Sequence, residues 1–164
     1  MKKEKALNIA AGLCSKKEQC SDEIRRKLQK WELTETEIEE ILCFLQKHQF
    51  IDDTRYAQAY AEDKFRFNHW GKQKIALMLH RKKIDAASIA QALENLNEEN
   101  YTEACLSLLK QKMKILPAED PYRRRAKLIR FALGRGFDYE LIQQCLTQLF
   151  ENPEEAATEI DFED

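Results

Sequence analysis

One apolar pattern occurs three times along this chain, and it constrains the fold more than any other feature. Ile24, Leu28, Leu33, Ile38, Leu42 and Leu45 are separated by steps of 4, 5, 5, 4 and 3 residues. The same steps return 51 residues later at Ile75, Leu79, Ile84, Ile89, Leu93 and Leu96. They return again, 53 residues further on, at Leu128, Ala132, Phe137, Ile142, Leu146 and Leu149. Six apolar positions recurring at nearly equal offsets mark an internal repeat. Steps of 3 and 4 place side chains on one helix face, whereas a step of 5 loses that register. Each set therefore spans two helices and the break between them.

Start signals fall where the repeat requires them. Thr34-Glu35-Thr36-Glu37 is a capping box, in which Thr34 accepts from the backbone and Glu37 reaches back. Asp85 and Asp138 occupy the equivalent breaks, and Asp120-Pro121 opens a further helix with proline at its first position. A first helix precedes each pair. It is expected at roughly residues 4–14, from Asp52-Asp53-Thr54 through Lys64, and at roughly 99–114. With only 4 Gly and 3 Pro, few residues interrupt such helices. The fold class expected is all-α: three tandem three-helix repeats forming an elongated, curved array. The repeats are placed at 1–49, 50–97 and 98–150, followed by an acidic tail at 151–164. Each bundle is short, so neighbouring repeats are expected to pack end to end.

Charge is distributed unevenly. The chain carries a net charge of −2, but residues 151–164 hold seven acids and no base. Without them, 27 bases face 22 acids, a net of +5 for residues 1–150. Like-charge blocks of this kind are usually disordered. No apolar run approaches the roughly 18 residues that a membrane helix needs. The first residues also lack a secretory signal pattern, so a cytoplasmic protein is expected. Cys14, Cys20, Cys43, Cys105 and Cys145 are scattered and do not combine with His48, His69 and His80 into a ligand pattern. Free thiols and no metal are expected. Phosphate-binding, dinucleotide and zinc-protease motifs are absent, as is any supported Ser/His/Asp arrangement. Neither an enzyme nor a cofactor is implied.

The bases concentrate around the second helix of each repeat. Residues 64–83 hold seven bases and no acid, interleaved with Phe65, Phe67 and Trp70. Residues 121–136 hold Arg123, Arg124, Arg125, Lys127, Arg130 and Arg135, again without an acid. The first repeat offers Arg25, Arg26 and Lys27. Any one such cluster could be an ordinary solvated helix face. Recurrence at one repeat position without intervening acids favours a polyanion partner, bound through phosphates rather than base edges. Tyr56, Tyr60, Phe65 and Phe137 lie at core spacing, while Phe67 and Trp70, beside Gly71, fit either core or exposed contacts.

Three segments carry a resemblance. Phe50-Ile51-Asp52-Asp53-Thr54-Arg55-Tyr56-Ala57-Gln58-Ala59-Tyr60, followed by Gly71-Lys72-Gln73-Lys74-Ile75 through Ile84, resembles the central signature of the RecX regulatory proteins. Arg130-Phe131-Ala132-Leu133-Gly134-Arg135-Gly136-Phe137 through Ile142 is similar to that family's C-terminal signature, and Ser21 through Leu28 fits its first unit. Where the family often has Lys-Gly, this chain reads Lys82-Lys83-Ile84, so that turn must form without glycine. The resemblance implies three three-helix modules. A monomer not bound to membranes is expected, and the resemblance implies that it binds the RecA recombinase along its filament on DNA. Such a protein restrains strand exchange, ATP hydrolysis and co-protease activity in DNA repair, recombination and the SOS response, with at most weak direct DNA binding.

On that reading the contact residues are Arg66, Lys72, Lys74, Arg81, Lys82, Lys83, Arg123, Arg124, Arg125 and Arg130. The alternative is an independent DNA-binding protein with helix-turn-helix-like modules. A helical adaptor that binds only protein is a third possibility.

Overall fold

The computed structural model describes residues 1–151, so the acidic segment from residue 152 onward lies outside the described residues. All regular structure among the described residues is helical: α1 Lys3–Lys16, α2 Ser21–Gln29, α3 Glu35–Lys47, α4 Asp53–Asn68, α5 Lys72–Arg81, α6 Ala86–Glu94, α7 Glu98–Ile115, α8 Pro121–Gly134 and α9 Tyr139–Glu151. The chain forms two compact units. The first comprises Met1–Tyr60 and Met78–Leu93; the second comprises Ala61–Leu77 and, of the described residues, those from Glu94 onward. Helices α4 and α5 each contribute to both.

Local chemistry sets most helix starts. Thr34 accepts from the Glu37 N–H at 3.2 Å, and Glu37 accepts from the Thr34 N–H at 3.0 Å, which completes the capping box. Asp85 takes both the backbone N–H and the hydroxyl of Ser88, at 3.0 and 2.8 Å. Asp138 accepts from the Leu141 N–H at 2.9 Å, and Asp120 accepts from the Tyr122 N–H at 3.3 Å beside Pro121. Asn97 caps α7 by accepting from the Asn100 N–H at 3.1 Å, a signal the pattern reading did not single out.

In the first unit, Ala6, Ala10, Ile24, Leu28, Ile38, Ile41, Leu42, Leu45 and Ile51 close a core between α1, α2 and α3. The second unit gathers Tyr101, Cys105, Leu109, Leu128, Ala132, Phe137, Ile142, Leu146 and Leu149 between α7, α8 and α9. All six repeat positions of the third set are buried here. The middle set departs from that symmetry. On α6 the buried residues are Ser88 and Ala92, whereas Ile89 and Leu93 are half-buried. The Ser88 hydroxyl meets the Thr54 hydroxyl at 2.9 Å as well as Asp85, which satisfies the polar group that the rotated face buries.

The break between second and third helices uses one device three times. Glu32, Lys83 and Gly136 stand at equivalent repeat positions, and all have positive φ, of 57, 60 and 99°. The Ile84 N–H donates to the Leu79 carbonyl and the Phe137 N–H to the Ala132 carbonyl, each at 3.2 Å, the six-residue closure of a helix C-terminus. Lys83 thus adopts the left-handed turn that glycine would adopt without penalty. Its contact with Asp22 is 3.7 Å long and its side chain is 73% exposed, so that pair contributes little. Lys83→Gly is expected to raise stability by about 1 kcal/mol, the balance of relieved Cβ strain and added unfolded-state freedom. Urea unfolding would measure it, and an unchanged or lower midpoint would contradict it.

Candidate polyanion-binding surface

In the second unit, α8 presents an exposed stripe. Arg123, Lys127 and Arg130 follow at steps of 4 and 3, which places them on one face of the helix. No acid lies anywhere on α8. Lys127 bonds Glu119 at 2.8 Å just before the helix begins. Tyr122, 81% exposed, and Leu133, 42% exposed, flank the stripe.

Arg124 and Arg125 are half-buried and serve the fold. Arg124 donates to the Met113 carbonyl at 2.7 Å near the end of α7, and Arg125 donates to the Gln143 side chain on α9. Arg135 donates to the Asn68 carbonyl at 3.1 Å at the end of α4, where a helix C-terminus favours a cation.

Residues 64–74 of the same unit form a second basic patch. Arg66 is exposed, with its guanidinium 5.7 Å from the Phe67 ring, and Phe67 is itself 68% exposed. Trp70 is half-buried, with the Lys64 and Lys74 ammonium groups 5.1 and 4.5 Å from its ring. Lys72 is tied inward: its ammonium bonds Glu98 at 2.8 Å and lies 4.7 Å from the Tyr101 ring.

The start of α5 has no local side-chain cap; its partners come from elsewhere in the second unit. The Gly71 N–H donates to the Arg135 carbonyl at 2.7 Å and the Gln73 N–H to the Gly136 carbonyl at 3.0 Å. The Lys72 N–H donates to the Tyr101 hydroxyl at 2.8 Å. These bonds satisfy amides that the helix itself leaves open. Burial pushes the Tyr101 hydroxyl up to about 12, opposed by the Lys72 N–H, so it stays protonated. The Tyr101 ring also stacks on Phe65 at 5.7 Å and packs at a tilt against Phe137 at 5.1 Å.

In the first unit Arg81 is exposed, and Lys83 sits on its strained turn. Lys82 is half-buried. It bonds Glu23 at 3.0 Å and lies 5.9 Å from the rings of Tyr56 and Tyr60. Glu23 also accepts from the Tyr56 hydroxyl at 2.7 Å. Burial alone would raise the Glu23 carboxyl, but donation from Tyr56 and Lys82 outweighs it and holds the group below the ordinary carboxylate range. Burial opposes the Lys82 charge, yet Glu23 holds it above the ordinary lysine value. On α2, Arg25 pairs with Glu39 at 2.6 Å and Arg26 with Asp22 at 3.0 Å.

The pH dependence of this cluster follows from those directions. The Glu23 contribution is fully present above its unfolded value of 4.5 and is lost as pH falls through the lower folded value. The Lys82 contribution is present below 10.5 and is lost as pH rises through the raised folded value. Glu23→Gln is expected to lower stability near neutral pH by about 1.5 kcal/mol and to flatten the acid limb below pH 4.5. Denaturant unfolding across that range would show it. An acid limb as steep as that of the parent would refute the assignment.

Of the expected contact residues, the structure brings Arg123 and Arg130 together on α8, joined by Lys127, and leaves Arg66 and Arg81 exposed. It ties Lys72, Lys82, Arg124 and Arg125 to internal partners. No cluster of three or more His, Cys, Asp or Glu suited to a metal occurs among the described residues, and no helix there is long and apolar enough to cross a membrane.

These features define an all-helical protein of tandem three-helix modules with an exposed basic helix. Residues 6–45, 52–93 and 98–146 match, in order, the family models described as RecX, first, second and third three-helix domain. The chain belongs to the RecX family. It is 38% identical over 132 residues to a regulatory protein RecX of Clostridium acetobutylicum, covering 78% of this chain and 61% of that relative's length. It is 30% identical over 147 residues to a regulatory protein RecX of Chlorobium phaeobacteroides, covering 90% of this chain and 95% of the relative. The crystal structure of RecX from Lactobacillus salivarius superposes with a TM-score of 0.82 at 24% identity, over 90% of this chain and 96% of that one, a likeness of fold.

Proposed function

We propose that this chain is a regulator of RecA that binds the recombinase filament on DNA and restrains its strand exchange and ATP hydrolysis, with no catalysis of its own. Membership of a regulatory family supports the class of function. The acid-free face of α8, with Arg123, Lys127 and Arg130 exposed in one row, is the observation that carries the polyanion contact. An exposed basic row attracts phosphates at long range and releases their counterions on contact.

The test is ATP hydrolysis by the host's own RecA on single-stranded DNA, titrated with this protein. A dose-dependent fall at substoichiometric ratios is expected. Unchanged hydrolysis, with filaments confirmed present and this protein folded, would refute filament control. Sequence-selective binding to duplex DNA without RecA would instead establish the independent DNA-binding alternative.

A further inference from the structure

Phe65 and Phe67 stand two residues apart on the last turn of α4, about 200° around the helix. Phe65 stacks on Tyr101 and packs against the core of the second unit. Phe67 therefore points away from that core and is 68% exposed. One exposed phenylalanine is ordinary; its setting is not. Residues 64–77 carry four bases and no acid. The Arg66 guanidinium lies 5.7 Å from the Phe67 ring, and Arg66, Asn68 and His69 are exposed beside it. The Trp70 ring already holds the Lys64 and Lys74 ammonium groups, at 5.1 and 4.5 Å, so Phe67 is the open aromatic of the patch.

The turn that carries Phe67 is held in place. His69 takes a φ of 59°, and the Trp70 N–H donates back to the Lys64 carbonyl at 3.1 Å. Arg135, just past the end of α8, donates to the Asn68 carbonyl at 3.1 Å. The ring thus stands on an ordered helix end that adjoins the end of the acid-free helix α8. Little conformational freedom remains to be lost when a ligand settles on it.

We propose that Phe67 is a stacking platform for an unpaired base of single-stranded nucleic acid, with Arg66 beside the ring and the strand's phosphates met by the bases of this unit. The inference rests on the reading of the second unit as the polyanion surface and extends it from phosphates to base faces. Every base has a flat face, so stacking adds affinity without sequence readout. Bases in a duplex already stack on one another, so the contact favours single strands.

The test is fluorescence anisotropy of the full chain with labelled oligothymidylate and with an abasic strand of equal length and charge. Phe67→Leu keeps apolar bulk and removes the flat ring. It should weaken oligothymidylate binding about ten-fold. Binding to the abasic strand, the salt slope and the unfolding midpoint should not move. Phe67→Trp should restore the affinity. Equal oligothymidylate affinity for Phe67→Leu and the parent would overturn the proposal, and so would an equal loss on the abasic strand. If salt-sensitive binding persists in such a result, the stacking inference alone fails. If the parent binds neither strand, the polyanion reading fails and the stacking inference fails with it. Normal oligothymidylate binding by Phe67→Leu together with lost restraint of RecA hydrolysis would assign the ring to a protein partner, and that too would overturn the proposal.

Discussion

Gly71→Ala is expected to destabilise the second unit by roughly 3–5 kcal/mol, the sum of an overpacked contact and two impaired hydrogen bonds. A Cβ at residue 71 would lie 2.5 Å from the Phe137 amide nitrogen and closer still to the backbone of Gly136. A backbone wall cannot rotate away as a side-chain tip can. The α5 start would have to withdraw, stretching the Gly71 bond to Arg135 and the Gln73 bond to Gly136, at 2.7 and 3.0 Å. Gly136 is bound by the same contact from the other side. Its φ is 99°, and an added Cβ would stand 2.5 Å from the Lys74 Cβ. Thermal unfolding followed by circular dichroism should show the midpoint fall by about 10 °C or more. Gly134→Ala is the matched control. It ends α8, and a Cβ added there would meet nothing within 4 Å, so the change should be neutral or slightly stabilising. Equal midpoints for Gly71→Ala and Gly134→Ala would show that the backbone approach is not close.

Neutralising Arg123, Lys127 and Arg130 together with glutamine should weaken binding to RecA filaments on single-stranded DNA by about 50-fold at physiological salt. That figure follows from three released counterions at a slope of about 0.7 each. The slope of log affinity against log salt should fall by about 2. All three side chains are exposed, so folding stability should change by less than about 0.5 kcal/mol for each. Arg124 and Arg125 supply the contrast. Their partners are the Met113 carbonyl and Gln143, so glutamine there should lower the unfolding midpoint more than the salt slope. Unchanged affinity and slope in the triple variant would remove α8 from the interface.

The candidate site was legible in part. The sequence locates the basic windows, because runs without acids are visible in one dimension. It does not say which bases remain open. Arg123, Arg124 and Arg125 are adjacent and chemically identical, yet a helix turns about 100° per residue, so one faces solvent while two reach α7 and α9. Lys82 and Glu23 are 59 residues apart, and nothing in either neighbourhood announces their pairing. The capping residue of α7, Asn97, had a local signal, an Asn three residues before the amide it accepts from.

Local sequence dictates the helices, their grouping and most of their ends. Apolar spacing fixes which faces seek burial. Thr34, Asp85, Asp120 and Asp138 act on amides two or three residues away, so their effect is written locally. The left-handed turn at residues 32, 83 and 136 is likewise a repeat position, although only one of the three is glycine. The start of α5, by contrast, is set by tertiary contacts. Trp70-Gly71 offers no side-chain acceptor there, and the open amides are met by Arg135, Gly136 and Tyr101 from later in the chain. Packing also selects which residues of α6 are buried, Ser88 and Ala92 rather than Ile89 and Leu93. A hydrogen bond between distant residues, and the rotation of a helix against its neighbours, depend on where other elements stand. Local spacing carries no information about either.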